Sequence, residues 1–196
     1  IQLGLCCLNT ELRDQKPPIF CSRTMIMKSI REKGVELLKQ KIIQNLEDLI
    51  KMIEWNEQHG IRVMRLSSHL FPHKTNPGIA DYDYEFALSL FDKVKEVHQK
   101  YNHRLTFHPG QYNVLGTSDP KKLQHTIDDL EYHADVLDYM GVNENGVMVI
   151  HGGGTYGNKL LTIDRWCSNY NNLPEKIPVG FTYGDHNYNN YVFKSR

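Results

Sequence analysis

The chain has 196 residues, 40% of them hydrophobic and 23% charged, which suits one globular domain with a substantial core and leaves no place for a low-complexity or collagen-like class. It is shorter than the roughly 250 residues of a complete eight-unit (β/α) barrel. Its 23 Lys and Arg balance 23 Asp and Glu, so composition shows none of the basic excess that non-specific nucleic-acid binding draws on.

Strand and helix signals alternate along the chain. The apolar run over residues 1–8 predicts a short strand, and residues 9–22, with Pro17-Pro18, read as an irregular loop. From Val35 to His59, the apolar residues Leu37, Leu38, Ile42, Leu46, Leu49, Ile50 and Ile53 recur at three- and four-residue steps, the stripe of a long amphipathic helix that Gly60 ends. Residues 61–66 form a β-rich run, and residues 84–101 are again helical, with Phe86, Leu90, Phe91, Val94 and Val97 on one face. Residues 104–107 read as a strand. Asp119 followed by Pro120 is a helix cap with proline at the first helical position, and that helix runs to about Met140. Residues 146–150 predict a buried strand, followed by a glycine loop, a helix near residues 160–170 and a last strand over 177–183. Strands separated by single helices pair in parallel with right-handed crossovers, so the fold class is α/β, either doubly wound or a barrel. Periodicity does not choose between the two.

In parallel α/β folds, the functional groups collect where strands end. Three successive strands here lead into histidine: Leu66-Ser67-Ser68-His69, Phe107-His108-Pro109-Gly110 and Ile150-His151-Gly152-Gly153-Gly154. A single strand-end histidine is more often a hydrogen-bonded structural residue than a ligand, but three in succession favour a divalent-metal site at one rim. His73 is a possible substitute for His69, while His59, His98, His103, His125 and His133 fall on helices or their ends and read as surface residues. The triple glycine after Ile150-His151 suits either close approach to a phosphate or a plain turn. Gln111-Tyr112 offers an amide and an aromatic ring able to hydrogen-bond and stack on a base. Cys6, Cys7, Cys21 and Cys167 fit neither a zinc spacing nor a disulfide scaffold. With no signal-peptide pattern and no run of about 18 apolar residues, the expectation is a soluble intracellular protein of the cytoplasm or nucleus, not secreted and with no membrane partner.

Five segments in order, Leu3-Gly4-Leu5-Cys6-Cys7-Leu8-Asn9, Cys21-Ser22-Arg23-Thr24, Arg65-Leu66-Ser67-Ser68-His69, His108-Pro109-Gly110-Gln111-Tyr112 and Ile150-His151-Gly152-Gly153, resemble the ultraviolet-damage endonuclease family. The resemblance implies a TIM-barrel-type (β/α) fold of parallel strands with outer helices. It also implies a cluster of divalent metal ions, usually manganese, and nicking of duplex DNA immediately 5′ to ultraviolet photoproducts. By position it implies metal-site roles for His69, His108 and His151, an active-site role for Asn9 beside His69, and DNA contacts for Gln111 and Tyr112, the pair that wedges into the duplex at the lesion. Leu5 stands where an aromatic residue is common.

The match departs from the family in its last third. The family's strand ending in a metal-binding Glu has no counterpart before Ile177, and Glu175 sits in a loop rather than at that position. Thr182 stands where the family has Asp, leaving Asp185 and His186 as candidate metal ligands with shifted spacing. The expectation is therefore a single incomplete barrel domain over residues 1–196, lacking one internal βα unit and the C-terminal strands. Three functions stay open at this point: a metal-dependent repair endonuclease, a catalytically impaired DNA- or metal-binding remnant, and a sugar isomerase- or epimerase-like barrel. Metal identity and oligomeric state are open as well.

Overall fold

The computed structural model describes residues 3–76, 78–142 and 146–177. Strand β1 (Gly4–Cys6) leads to helices α1 (Thr10–Arg13), α2 (Met27–Lys33) and α3 (Val35–Gln58), and strand β2 (Val63–Leu66) to a 3-10 turn (Glu85–Ala87) and α4 (Leu88–Lys100). Strand β3 (Arg104–Phe107) is followed by α5 (Pro120–Tyr139), and β4 (Val147–Met148) by α6 (Lys159–Asn171). The strand expected over 177–183 falls, beyond Ile177, outside the described residues, as do Asp185 and His186.

The sheet order is β1-β2-β3-β4, with every neighbouring pair parallel. A doubly wound sheet reverses its strand order to put helices on both faces. Sequential order with right-handed crossovers puts them all on one face and is the winding of a barrel. Burial agrees. Met64, Leu66, Leu105, Phe107 and Met148 are fully buried on the helix side, whereas Arg65, Thr106 and Val147, in register on the other side, are half-buried. The TIM-barrel-type reading is thereby chosen over the doubly wound one.

The helices form where apolar periodicity called for them. In α3, Leu38, Ile42, Leu46, Leu49, Met52 and Ile53 are fully buried along one stripe. Asp119 caps α5 by accepting from the Lys121 and Lys122 amides, with Pro120 at the first position. Two elements differ from expectation. Residues 10–13 make one helical turn inside the expected loop, because the Asn9 side chain caps it at the Leu12 amide, and α2 buries Ile30 alone, too little for a periodic signal. Arg23 pins the intervening segment to α3: it pairs with Asp48 at 2.6 Å and lies over the Phe20 ring at 4.0 Å.

Three of the five histidines read as surface residues are core residues. His98 bonds the Met140 carbonyl at 2.8 Å, His103 meets Glu57 at 3.1 Å, and His133 bonds the Asp129 carbonyl at 2.6 Å, each with 6% exposure or less. An imidazole can fill a helix–sheet interface when its polar end finds a partner, and that offset is what the surface reading left out. His59 and His125 are exposed as expected.

Candidate metal and nucleic-acid site

Strand alternation delivers two of the sequence-chosen histidines to one place. Thr106 faces the open side of the sheet, so His108, two residues on, faces it too. The Val149 amide bonds the Phe107 carbonyl at 2.9 Å, which carries the pairing of β3 and β4 past their ends and aligns His151 with His108. Their Nε2 atoms lie 3.0 Å apart, with the rings 4.7 Å between centroids and inclined at 68°. Burial, then the charge of Arg65, then His151 itself, pushes the His108 pKa below the usual histidine range, which keeps its Nε2 lone pair available near neutrality. Two ring nitrogens this close share a proton, one donating and the other accepting, or take a cation in its place.

The donor set fits a divalent ion as a partial site. With metal–nitrogen bonds of roughly 2.1 Å, nitrogens at this spacing subtend about a right angle at a shared ion, as adjacent octahedral ligands do. Among the described residues no group of three or more His, Cys, Asp or Glu is spaced to hold one ion, so His69 does not join the pair. It stands exposed in the loop after β2. His73 is not a substitute ligand, because its Nε2 bonds the Met25 carbonyl at 2.7 Å and its Nδ1 takes the Asn76 amide at 3.0 Å. It ties the β2 loop to the segment ahead of α2.

Asn9 is nine-tenths buried or more, its Oδ1 committed to capping α1 and its Nδ2 left without a partner. A buried amide N–H with no acceptor is a costly group unless something is meant to accept from it. Gln111 and Tyr112 stand at the tip of the loop after β3, Tyr112 with 82% of its surface exposed. Behind them lies a cleft of about 270 Å³ lined by His69, His73, Tyr112, Asn113, Asp129 and His133, among others.

Of the glycines after Ile150-His151, Gly153 shows a packing role. Gly153 has φ 78°, and a Cβ there would stand 2.9 Å from Val114 Cγ1 in the neighbouring loop. Gly116 has the matching constraint, since a Cβ would come within 2.8 Å of Thr162 Cγ2 on α6. The close approach that sequence reading assigned to a phosphate or a turn is made, at Gly153, to protein. The four cysteines are free, and burial, with Cys7 nearby, pushes the Cys21 thiol up to about 12. Among the described residues no helix is long and apolar enough to cross a membrane.

Comparison with known proteins gives one consistent answer. The family pattern described as UV-endonuclease UvdE matches residues 1–186. The UV-damage endonuclease of Schizosaccharomyces pombe is 43% identical over 182 residues, covering 90% of this chain and 30% of the yeast protein. The UV DNA damage endonuclease of Bacillus mycoides is 33% identical over 178 residues, covering 90% of this chain and 56% of that protein. Among solved structures, SacUVDE superposes with a TM-score of 0.83 at 26% identity, over 92% of this chain and 60% of that one. The chain thus spans less than two thirds of the length of each.

Proposed function

The chain belongs to the UV-endonuclease family, and from that membership together with the rim geometry we propose that it serves in repair by nicking duplex DNA 5′ to ultraviolet photoproducts, with divalent metal ions, manganese foremost. The observation that carries the proposal is the 3.0 Å meeting of His108 Nε2 and His151 Nε2 at the carboxyl ends of adjacent parallel strands. In this reading the two imidazoles hold an ion, His69 serves a neighbouring position across the rim, and Asp185 and His186 complete the ligand set. When bound, such ions supply the charge that activates water and stabilises the leaving 3′-oxygen.

The chain's own residues do the remaining work. The unpartnered Asn9 amide donates to a phosphate oxygen, and Arg65, whose buried Nε has no partner, adds positive potential beneath the histidines. Gln111 and Tyr112 enter the base stack, Tyr112 by stacking and Gln111 by hydrogen bonding. A damaged step opens at lower cost than an intact one, so selection rests on deformability more than on base sequence. The site of action is intracellular DNA.

The chain is read as one barrel-type domain lacking one βα unit between α6 and the strand expected at 177–183, which is the unit that brings the family's metal-binding Glu. That gap favours one second reading, a domain that binds damaged DNA without cutting it. A labelled duplex bearing one cyclobutane pyrimidine dimer separates the two. A manganese-dependent cut immediately 5′ to the dimer, absent with EDTA, is expected of the endonuclease. Lesion-selective binding with no cut marks the binding domain, and neither cut nor selective binding by folded protein refutes both.

A further inference from the structure

Asp129 lies on α5 facing the two loops that border the cleft. Its Oδ1 accepts from Thr75 Oγ1 at 2.9 Å, in the loop after β2, and its Oδ2 accepts from Asn113 Nδ2 at 2.7 Å, in the loop after β3. Asn113 is 5% exposed, and both its backbone N–H, at 3.0 Å, and its Nδ2, at 3.1 Å, donate to the Gly110 carbonyl. Residues 110–113 are thereby closed into a turn with Gln111 and Tyr112 at its tip.

The base of the same loop is fixed separately. The Val114 amide donates to Thr126 Oγ1 at 3.2 Å, Asn169 Nδ2 donates to the Leu115 carbonyl at 2.7 Å, and Arg165 Nε donates to the Gly116 carbonyl at 3.2 Å. These bonds secure residues 114–116 to α5 and α6 and leave the tip to Asp129. On the opposite wall, Thr75 adjoins Asn76, which is bonded to His73 and through it to Met25. The carboxylate therefore joins two walls, each anchored elsewhere.

We propose that Asp129 is a positioning residue that holds the Gln111–Tyr112 tip in its protruding orientation, and so sets how strongly the chain prefers a lesion over intact duplex. The inference rests on the DNA reading above. A side chain can open a base step only if the loop behind it does not yield, and a carboxylate accepting from two neutral donors makes the stronger, charge-assisted kind of hydrogen bond. An amide in its place can keep both contacts, accepting from Asn113 and donating to Thr75 Oγ1, since a hydroxyl accepts as well as donates. Asp129→Leu releases both walls of the clamp at similar side-chain shape; it leaves the His133 bond to the Asp129 backbone carbonyl and removes the carboxylate oxygen 3.5 Å from His133 Nδ1.

The test uses Asp129→Leu, Asn113→Leu and the conservative Asp129→Asn, with two readouts taken in EDTA so that no cutting occurs. The first is amide hydrogen exchange over residues 110–117 without DNA, and the second is the ratio of affinities for dimer-bearing and undamaged duplex. Each leucine variant is expected to speed exchange at the tip and to lower the ratio on the order of 10-fold, since displacements of about 1 Å cost up to 100-fold in positioned sites. The loss of one negative charge at position 129 acts on damaged and undamaged duplex alike and cancels in the ratio. Asp129→Asn holds both readouts near the wild-type level, because its amide can serve both neighbours. Unchanged exchange in Asp129→Leu, faster exchange with an unchanged ratio, or Asp129→Asn no better than Asp129→Leu would each overturn the proposal. A wild-type chain with no lesion preference refutes the DNA reading itself, and the exchange data then show independently whether Asp129 holds the loop.

Discussion

Replacing either member of the histidine pair with alanine is expected to abolish strong manganese binding, and the size of the effect follows from the geometry. Two Nε2 atoms 3.0 Å apart match the right-angle spacing of octahedral ligands at bonds of roughly 2.1 Å, whereas a tetrahedral ion needs about 3.4 Å. In the proposed metal reading the pair already has the spacing that an octahedral divalent cation would require, so little reorganisation would oppose binding. Losing a residue that merely orients a ligand weakens metal affinity about 10–100-fold, and losing the ligand itself exceeds the upper end of that range. His108→Ala and His151→Ala should therefore each raise the Kd for Mn2+ by at least about 100-fold, and the double variant should add little, because one imidazole alone is a weak site. Free Mn2+ followed by its paramagnetic resonance signal during titration gives these constants directly, with the exposed His125→Ala as the control that leaves them unchanged. Wild-type affinity in either single variant refutes the shared-ion geometry.

Other outcomes follow from burial and bonding. Phe107 is fully buried on β3 with its ring 4.8 Å from that of His133, so Phe107→Ala should cost about 3–5 kcal/mol. In a chain of this size that lowers Tm by about 10 °C, and a shift under about 3 °C in calorimetry would contradict the core assignment. Burial lowers the pKa of both His103 and His133, so each binds its proton more weakly folded than unfolded, and stability declines as pH falls below the ordinary value of 6.5 toward the lowered ones. Urea midpoints should fall with acidification over that window in the wild type, and an unchanged midpoint would contradict the sign. Asn9→Ser keeps an N-cap oxygen for the Leu12 amide but removes the unpartnered Nδ2, so Tm should hold while nicking falls on the order of 100-fold, as for loss of one positioned donor. Equal nicking rates would leave Asn9 a cap and nothing more.

Periodicity located the long helices well because each buries a continuous stripe, as Leu38 through Ile53 do in α3. It passed over α2, which buries Ile30 alone, and the one-turn α1, which depends on a side-chain cap. The choice between barrel and doubly wound sheet needed strand order, a property of tertiary pairing that no local pattern encodes. His98 and His133 were legible in part: His98 stands four residues after Val94 and His133 three after Leu130, both on the buried stripe of their helices. What hid them was residue type, since histidine joins a core once a carbonyl accepts its N–H. For the site, alternation from Thr106 and from Val149 puts His108 and His151 on one face, but their spacing depends on the β3–β4 register. His73 shows the converse, a histidine beside the motif whose two nitrogens are already bonded within the protein. Asp129 carries no motif, and its role emerges only when the two loops meet on α5.

The most direct measurement is single-turnover nicking of a duplex with one pyrimidine dimer, in manganese, by the wild type, His108→Ala and Tyr112→Ala, with binding to the same duplex measured in parallel. The expected result is a cut immediately 5′ to the dimer by the wild type, lesion-selective binding without cutting by His108→Ala, and loss of lesion preference in Tyr112→Ala. Cutting by His108→Ala at the wild-type rate would contradict the assignment of the chemistry to the histidine rim.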